Sequence, residues 1–327
     1  MVLDGQQDAS ITAAAQALRA GQLVGLPTET VYGLAADADN DQAVAQVYTT
    51  KGRPADHPLI VHVADASGIG HFARNVPAFA QALVQAFWPG PLTLILPRRP
   101  GHGAAAAGQQ DSIGLRCPAH PVAQALLRAC VAAGVHGVAA PSANRFGRVS
   151  PTTAAHVQDE FGDGLLVLDG GACAVGIEST IVDCTRGVPV LLRPGAITRA
   201  QIAAACGIAP LSKEELPAHT PRASGTLEAH YAPNAKVRLM DTKALQAGLD
   251  LLGSDAAHLA VYARTPLRAP QVLLRRMPQD AEAAAQELFA ALRGFDDAGV
   301  RLVWIEWPPA TPEWEGVRDR LQRAAAA

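Results

Sequence analysis

Short apolar runs of strand length alternate with segments of helical spacing along the first two hundred residues of the chain. Leu23–Leu26 and Leu59–Val63 are rich in aliphatic or β-branched residues, whereas Ile11–Ala20 repeats apolar residues at the spacing of one helix face. Strands that alternate with helices are typical of an α/β domain around a large sheet. We therefore predict one α/β domain over residues 1–206.

The same pattern extends along this domain. The other predicted strands are Leu92–Leu96, Ile113–Arg116, Val138–Ala140, Leu165–Leu168, Ile177–Val182 and Val190–Leu192, and the other predicted helices are Asn40–Thr50, Val76–Phe87, Val122–Ala132, Thr152–Glu160 and Arg199–Ala205. Ser10 is the predicted N-cap of the first helix, and the pairs His120-Pro121 and Ser150-Pro151 predict two further helix starts.

The pattern breaks over residues 207–235, which contain four prolines and no apolar period. A segment of this length without regular structure predicts a linker that is mobile or functional. Strand and helix patterns resume after it, from Val237–Met240 to Glu313–Arg323. Residues 236–327 are therefore predicted to form a second, smaller three-layer α/β domain.

Charge and cysteine content exclude several classes of protein. Lys+Arg 27 against Asp+Glu 30 gives a formal net charge of −3, which argues against a strongly basic nucleic-acid-binding body. The 5 cysteines include no Cys-x-x-Cys pair, which argues against a disulfide framework and a cysteine zinc site and predicts buried reduced thiols. No apolar run is long enough to span a bilayer and the N-terminus does not resemble a signal peptide, so a cytoplasmic location is expected.

Polar side chains follow several of the predicted strands, although the common phosphate-loop and nucleophile-elbow motifs are absent from the sequence. Leu26-Pro27-Thr28-Glu29-Thr30 places hydroxyls and a carboxylate directly after a strand, where ligands bind in α/β sheets. Taken alone, this segment is also compatible with an ordinary capped turn. His62 and Arg116 each end a buried strand, and such residues are more often structural than ligand-binding.

Lys51-Gly52-Arg53 combines an ammonium group, a permissive glycine and a planar guanidinium after the second helix. Lys51 is the first of only four lysines, the others being Lys213, Lys236 and Lys243. An ammonium point charge beside an arginine fork is suited to a polyanion, and a solvated helix end is the alternative. Jointly, six strand-end residues predict a cleft for a small polar anionic ligand. They are Thr30, His62, Arg116, Ser142, Ser179 and Arg193.

Nine motifs in order resemble the threonylcarbamoyl-AMP synthase family in its long, two-domain form. They are PTETVYGL, KGRP, PLIVH, WPGPLT, GLRCPAHP, APSAN, SPT, GIESTIVD and LLRPG, and SGTLEAHYAP in the linker matches as well. The resemblance implies a YrdC-like domain with a large, twisted mixed sheet, followed by a Rossmann-like C-terminal domain. It also implies a nucleotidyltransferase that converts L-threonine, bicarbonate and ATP, with Mg²⁺, into L-threonylcarbamoyladenylate and pyrophosphate.

The resemblance assigns expected roles to individual residues. Those expected around threonine are Thr30, His62, Arg116, Ala140 and Ser179; those expected around ATP are Arg53, His57, Ser112, Ser142, Asn144, Ser150, Arg193 and Tyr231. Lys51 and Arg53 are the expected catalytic residues, because their charges would stabilise the phosphates during the reaction. Tyr231 of the linker is expected to close over the cleft as a lid and exclude water.

The expected product feeds N6-threonylcarbamoyl modification of adenosine 37 in tRNAs that read codons beginning with A. A tRNA threonylcarbamoyltransferase complex is therefore the implied downstream partner, and tRNA itself is expected to bind weakly at most. His57 departs from the family, which usually has asparagine there, and predicts nucleotide binding that depends on pH near neutrality. Ser224-Gly225-Thr226 departs from the usual start of the linker motif.

Two other functions are compatible with parts of this pattern. The related carbamoyltransferase of hydrogenase maturation shares the domain type, but it adds an acylphosphatase-like module and Cys-x-x-Cys zinc fingers that this sequence lacks. An RNA-binding or ribosome-associated module is the third candidate. The net charge of −3 and the 5% aromatic content argue against broad RNA binding.

Overall fold

The computed structural model describes residues 1–212, 215, 221–225, 229–256, 258–268 and 272–327. Parts of the predicted linker, including Thr226, lie outside these residues. The chain divides into two compact units. Unit 1 comprises Met1–Phe146 and Pro151–Thr226, and unit 2 comprises Gly147–Ser150 and Leu227–Ala327.

Within the described residues, unit 1 is built on an 11-stranded sheet. Its strands are β1 (Val2–Asp4), β2 (Val24–Leu26), β3 (Gly33–Asp37), β4 (Ile60–His62), β5 (Leu92–Pro97), β6 (Ser112–Arg116), β7 (Val138–Ala139), β8 (Leu166–Asp169), β9 (Thr180–Asp183), β10 (Val190–Arg193) and β11 (Leu211–Ser212). Its helices are α1 (Asp8–Arg19), α2 (Asp41–Lys51), α3 (Ile69–Phe72), α4 (Ala78–Phe87), α5 (Pro121–Ala132), α6 (Ala154–Phe161) and α7 (Arg199–Cys206).

The sheet runs in the order β1-β8-β2-β3-β7-β4-β6-β5-β9-β10-β11 and mixes parallel with antiparallel pairs. β4 and β6 are parallel, β5 is antiparallel to β6 and parallel to β9, and β9 is antiparallel to β10. These relations confirm the predicted mixed α/β sheet. They also place the ends of five neighbouring strands along one edge.

Buried apolar residues of unit 1 form two large clusters, one including α2 and α4 and the other including α1 and α5. Consecutive residues of β3 contribute to different clusters: Leu34 belongs to the first and Ala35 to the second. The strand is therefore buried on both faces. This explains why its sequence, Gly33–Asp37, carries no alternating pattern and is not among the predicted strands.

Helix caps agree with the sequence at two positions and differ at two others. Asn40 caps α2, and His120 caps α5 with Pro121 in its first turn. The prediction that Ser10 caps the first helix is wrong: α1 begins at Asp8, whose charge favours the positive end of the helix dipole.

The prediction that Ser150 caps the helix after Pro151 is also wrong. Thr153 is the N-cap of α6, because its hydroxyl accepts a hydrogen bond from the backbone N–H of His156. A side chain three residues before that N–H has the correct reach for a cap, whereas Ser150 lies too early in the chain.

In the described residues of unit 2, four strands form a smaller, fully parallel sheet. The strands are β12 (Lys236–Met240), β13 (Leu259–Ala263), β14 (Leu273–Arg276) and β15 (Leu302–Glu306), in the order β12-β15-β13-β14, and the helices are α8 (Thr242–Leu252), α9 (Ala281–Asp297) and α10 (Glu315–Ala325). This confirms the predicted second α/β fold. In the described part of the chain, no helix has the length and apolar character that crossing a membrane requires.

All five cysteines are free thiols, as predicted. Cys117, Cys130, Cys173 and Cys184 are buried, and Cys206 is half-buried. Burial raises the pKa of Cys130 and of Cys173 to about 12, so both remain protonated at neutral pH. These thiols therefore act as small apolar core residues.

Candidate active site

Four predicted site residues lie along the edge of the sheet formed by β4, β6, β5, β9 and β10. His62 pairs in register with Arg116, since both end parallel strands. Ser179 immediately precedes β9, and Arg193 ends β10, which runs antiparallel to it. The topology therefore brings together an imidazole, a hydroxyl and two guanidinium groups from distant parts of the sequence.

The turn after β2 folds around the hydroxyl of Thr28. This hydroxyl donates to the carbonyl of Val31 (2.6 Å), accepts from the N–H groups of Thr30 and Val31, and lies 2.9 Å from Oγ1 of Thr30. These bonds fix a compact turn in which Glu29 and Thr30 are both buried. The sequence therefore encodes the turn and the orientation of its functional side chains together.

Glu29 and Thr30 both contact Arg116. Nη2 of Arg116 lies 2.7 Å from Oε1 of Glu29, and Nη1 donates to Oγ1 of Thr30 (2.8 Å). Nε of Arg116 donates to the carbonyl of Gly90 (3.3 Å). Burial by itself would raise the pKa of Glu29, but the charge and hydrogen bonding of Arg116 lower it overall. The carboxylate is therefore ionised at neutral pH.

We call Glu29, Thr30, His62 and Arg116 the Glu29–Arg116 pocket. Apart from the Glu29–Arg116 ion pair, two buried polar atoms in it make no hydrogen bond within the described residues: Oε2 of Glu29 and Nδ1 of His62. Burial, followed by the charge of Arg116, lowers the pKa of His62 to about 3, so its imidazole is neutral. Buried donors and acceptors without hydrogen bonds are costly, and a polar ligand would satisfy them.

Arg193 binds two segments of backbone. Its Nε and Nη2 donate to the carbonyl of Ser179 (3.0 and 2.8 Å), and its Nη1 donates to the carbonyl of Ser224 (2.9 Å). Nη2 also donates to Oγ of Ser179 (3.2 Å), which lies 2.7 Å from Oγ1 of Thr93. Arg193 thus holds the residue before β9 together with the segment 221–225.

Lys51 ends α2 and is buried, with 3% of its surface exposed. Its Nζ donates to the carbonyl oxygens of Ser142 (2.5 Å) and Asn144 in the loop after β7. This loop also contacts the turn after β2, since the N–H of Ala143 donates to the carbonyl of Tyr32 (2.8 Å). The predicted APSAN motif is therefore held between Lys51 and the turn that carries Thr30.

Burial and then the charge of Arg53 lower the pKa of Lys51 well below its ordinary value, while Glu160 and Glu178 partly oppose this. Arg53 is buried as well, and its Nη2 donates to the carbonyl of Pro58 (2.9 Å) and to Oγ of Ser224 (3.4 Å). We call Lys51, Arg53 and Arg193 the basic cluster.

His57 is half-buried beside Phe146, with their ring centroids 5.7 Å apart. Burial, followed by the charge of Arg53, lowers the pKa of His57. Any pH dependence of nucleotide binding that arises from His57 is therefore expected at more acidic pH than the sequence predicts. At neutral pH the ring is uncharged and offers one donor and one acceptor.

The segment 221–225 covers a narrow cavity over the sheet. Thr93, Ser112, Gly114 and Ser224 are among the residues that line it. Its free volume is about 10 Å³, which is about the space that one water needs. Ser112 therefore lies beneath the segment 221–225, and its predicted role at ATP stays a prediction.

The remaining predicted site residues lie elsewhere. Ala140 is buried in unit 1, where its N–H donates to the carbonyl of Ile60 (3.0 Å). Ser150 and Tyr231 belong to unit 2, and both are almost completely buried. The ring of Tyr231 lies 5.5 Å from Phe289 of the same unit. The predicted roles of Ser150 at ATP and of Tyr231 as a lid stay predictions.

The sequence does not predict two side-chain contacts of the site, those of Glu29 with Arg116 and of Thr93 with Ser179. Glu29 was noted as a carboxylate in the turn, but its pairing with Arg116 depends on a contact between residues 87 positions apart. Thr93 lies inside an apolar strand, where a hydroxyl that faces Ser179 has no local sequence signal.

Comparisons with known proteins identify the family of this chain. A family model described as "Telomere recombination" matches residues 16–195, and a model described as "Threonylcarbamoyl-AMP synthase, C-terminal domain" matches residues 197–326. A threonylcarbamoyl-AMP synthase of Bacillus subtilis is 37% identical over 337 residues, covering 97% of this chain and 93% of the relative. The chain belongs to the threonylcarbamoyl-AMP synthase family.

A second relative of the same name, from Pyrococcus abyssi, is 35% identical over 331 residues, covering 96% of this chain and 94% of the relative. The crystal structure of the Pyrococcus abyssi Sua5 protein in complex with L-threonine has a TM-score of 0.88 at 34% identity. That comparison covers 98% of this chain and 95% of the other. The likeness therefore extends over both units of this member of the family.

Proposed function

We propose that this chain is a nucleotidyltransferase that forms L-threonylcarbamoyladenylate and pyrophosphate from L-threonine, bicarbonate and ATP. Its family membership supports the reaction class, and the complex of its Pyrococcus relative with L-threonine supports the amino-acid substrate. The product would serve a transferase that modifies tRNA at adenosine 37. A reaction that uses ATP and supplies tRNA modification is expected in the cytoplasm.

The observation that carries the proposal is the Glu29–Arg116 pocket. It presents an ionised carboxylate, a guanidinium and a neutral imidazole, with buried polar atoms that make no hydrogen bond in the described structure. An amino acid offers a carboxylate to Arg116 and N–H donors to Glu29, which satisfies both buried charges. The hydroxyl of Thr30 and the neighbouring Ser179 and Ala140 would complete the threonine site.

The reaction requires no nucleophilic side chain. Bicarbonate loses hydroxide to give CO₂, and the neutral amine of threonine attacks CO₂ to form the N–C bond of a carbamate. The proton that the amine loses combines with the hydroxide to form water. A carbamate oxygen then attacks the α-phosphorus of ATP, a new P–O bond forms, and pyrophosphate leaves with the electrons of the broken P–O bond. Negative charge grows on the phosphoryl oxygens, and Lys51, Arg53 and Arg193 would stabilise it.

The other residues that the family resemblance implies as ATP contacts are His57, Ser112, Ser142, Asn144, Ser150 and Tyr231. Mg²⁺ would enter with ATP and be held mainly by its phosphates, as is usual for this ion, because the carboxylate of Glu29 is already paired with Arg116. The ion would neutralise phosphate charge that the three basic side chains do not reach.

The segment 221–225 must move before ATP can bind where we propose. It accepts hydrogen bonds from Arg193 and Arg53 through Ser224, and only about 10 Å³ is free beneath it. Its return over bound substrates would exclude water from the carbamate and from the mixed anhydride product, both of which hydrolyse.

A direct test is to incubate the protein with ATP, Mg²⁺, L-threonine and bicarbonate, while measuring pyrophosphate release and detecting the adenylate by rapid mass spectrometry. We expect pyrophosphate and the adenylate only when threonine and bicarbonate are both present. L-serine and reactions without amino acid are the controls. Folded protein that binds ATP but releases no threonine-dependent pyrophosphate would refute the proposal.

A further inference from the structure

Three potential metal ligands from separate segments of unit 1 meet outside the candidate active site. They are Asp39 in the loop after β3, His71 in the short helix α3, and His102 in the loop between β5 and β6. One ligand atom from each lies within 4.8 Å of those from the other two. We call these residues the histidine cluster.

Asp39 is the centre of the cluster. Its Oδ2 lies 2.6 Å from Nε2 of His71 and 3.6 Å from Nδ1 of His102. Its other oxygen, Oδ1, accepts a hydrogen bond from the N–H of Gly103 (2.9 Å), which fixes the carboxylate in place. One carboxylate oxygen therefore faces two imidazoles while the other is held by the backbone.

A third histidine, outside the cluster, packs on the ring of His71. His136 stacks on it with a centroid distance of 4.1 Å and an interplanar angle of 24°. Both rings also line a surface cavity of about 230 Å³. The side chains of Asp39, His71 and His102 are 29%, 21% and 29% exposed, so they are accessible while remaining partly ordered by packing.

We propose that the histidine cluster binds a Zn²⁺ ion through Asp39, His71 and His102. Two imidazole nitrogens and one carboxylate oxygen form a donor set that Zn²⁺ prefers, and a water would complete a tetrahedron. Ligand atoms about 2.0–2.2 Å from the ion lie about 3.3 Å apart in such a geometry. Asp39 and His71 must therefore separate by less than 1 Å from their present 2.6 Å, which rotation of exposed side chains provides.

The bound ion would connect three segments that are distant from one another in the sequence. One of them is the loop between β5 and β6, which contacts the start of β4 because the N–H of Leu59 donates to the carbonyl of Ala106 (2.7 Å). The same loop region contains Gln110, whose Oε1 accepts from the N–H of Arg222 (2.9 Å). Zn²⁺ would thus stabilise the loop on which the segment 221–225 rests.

The test is a Zn²⁺ titration of the full-length, untagged protein in competition with a chromophoric chelator, together with thermal unfolding. We expect one ion per chain with a dissociation constant of about 1 µM or lower. At a free Zn²⁺ concentration about 100 times the dissociation constant, Tm should rise by about 5 °C or more. Absence of saturable binding by the folded protein would overturn the proposal.

Variants locate the site. His102→Ala removes only the ring and keeps the carbonyl that accepts from Nη1 of Arg98, so we expect it to fold and to bind Zn²⁺ at least about 10-fold more weakly. Asp39→Asn keeps an oxygen for the N–H of Gly103 and should weaken binding similarly. His258→Ala, at an exposed histidine of unit 2, is the matched control and should bind as the wild type does. Equal affinity in the His102→Ala variant and in the wild type would also overturn the proposal.

Discussion

Arg116 and Arg193 are both buried arginines at strand ends along the same edge of the sheet, yet their surroundings differ. Arg116 neutralises the buried carboxylate of Glu29, whose Oε2 makes no hydrogen bond within the described residues. Arg193 donates to the carbonyls of Ser179 and Ser224, which are neutral. The surroundings of Arg116 leave hydrogen-bonding capacity for a ligand. At Arg193, backbone of the segment 221–225 accepts the hydrogen bond that a ligand could accept.

Under the proposed function, this difference predicts an order of events. Threonine would bind the Glu29–Arg116 pocket first, because no backbone there has to move. Phosphate oxygens of ATP would replace the carbonyl of Ser224 at Arg193, so nucleotide binding would be coupled to movement of the segment 221–225. The following predictions test this contrast.

The largest expected effect is on stability. Arg116→Ala leaves the buried Glu29 carboxylate without a counter-charge and should lower the free energy of unfolding by about 3–5 kcal/mol. Arg193→Ala removes hydrogen bonds to neutral carbonyls and should cost about 1–3 kcal/mol. Urea unfolding at pH 7 measures both, and adding Glu29→Gln to Arg116→Ala should recover part of the loss. A larger loss of unfolding free energy in Arg193→Ala than in Arg116→Ala would contradict the contrast between the two arginines.

Lys51→Ala should lower kcat by about 100- to 1000-fold, because the ammonium is proposed to stabilise charge that grows in the transition state. Threonine affinity should change by less than about threefold, since Lys51 does not touch the Glu29–Arg116 pocket. Steady-state pyrophosphate release and threonine calorimetry give the two values. Lys236→Ala, at an exposed lysine of unit 2, is the control. An equal loss of kcat and threonine affinity would show that Lys51 acts on both substrates.

The pKa of His62 predicts how stability depends on pH. The folded value of about 3 lies below the ordinary value of 6.5, so the unfolded chain binds the proton more readily. The resulting stability is complete above pH 6.5 and is lost as pH falls towards 3. Between pH 7 and pH 5 the loss should be about 2 kcal/mol.

His62→Gln should remove this slope, because the amide does not titrate, and His258→Gln should retain it. Urea unfolding at pH 7, 6 and 5 measures the slope for all three proteins. The same slope in His62→Gln and in the wild type would show that His62 is not the neutral buried group described above.

The smallest expected effect concerns the ion pair of Arg222 with Asp56, whose side chains are 52% and 57% exposed. Such a pair contributes about 0–1 kcal/mol, so Arg222→Ala should lower KM for ATP by up to about fivefold by loosening the segment 221–225. Asp56→Ala should do the same, and the double variant should add nothing further. A higher KM for ATP in both single variants would mean that the segment assists nucleotide binding.

Much of the site could be predicted from sequence because its side chains follow strand ends that the apolar pattern marks. His62 and Arg116 end predicted strands and are adjacent in the sheet. The partners of the basic cluster could not be predicted, because the carbonyls of Ser142, Asn144 and Ser224 belong to the backbone and carry no residue signature.

The secondary-structure elements likewise include some that the sequence predicts and some that it does not. α2 has an asparagine cap and a glycine C-cap, and the sequence indicates both ends. β1 and β3 were missed because Val2–Asp4 is short and partly polar, and Gly33–Asp37 consists mainly of small residues whose burial arises from neighbouring strands. Local patterns identify elements that are stable by propensity, and tertiary packing determines the others.

Calorimetric titration of L-threonine in the absence of ATP tests the central contrast most directly. We predict saturable binding at one site per chain, weaker binding of L-serine, and at least about tenfold weaker threonine binding by Arg116→Lys, since lysine cannot reproduce the guanidinium fork. If threonine bound only after ATP had been added, this would contradict the claim that the Glu29–Arg116 pocket binds threonine without rearrangement while the basic cluster requires movement of the segment 221–225.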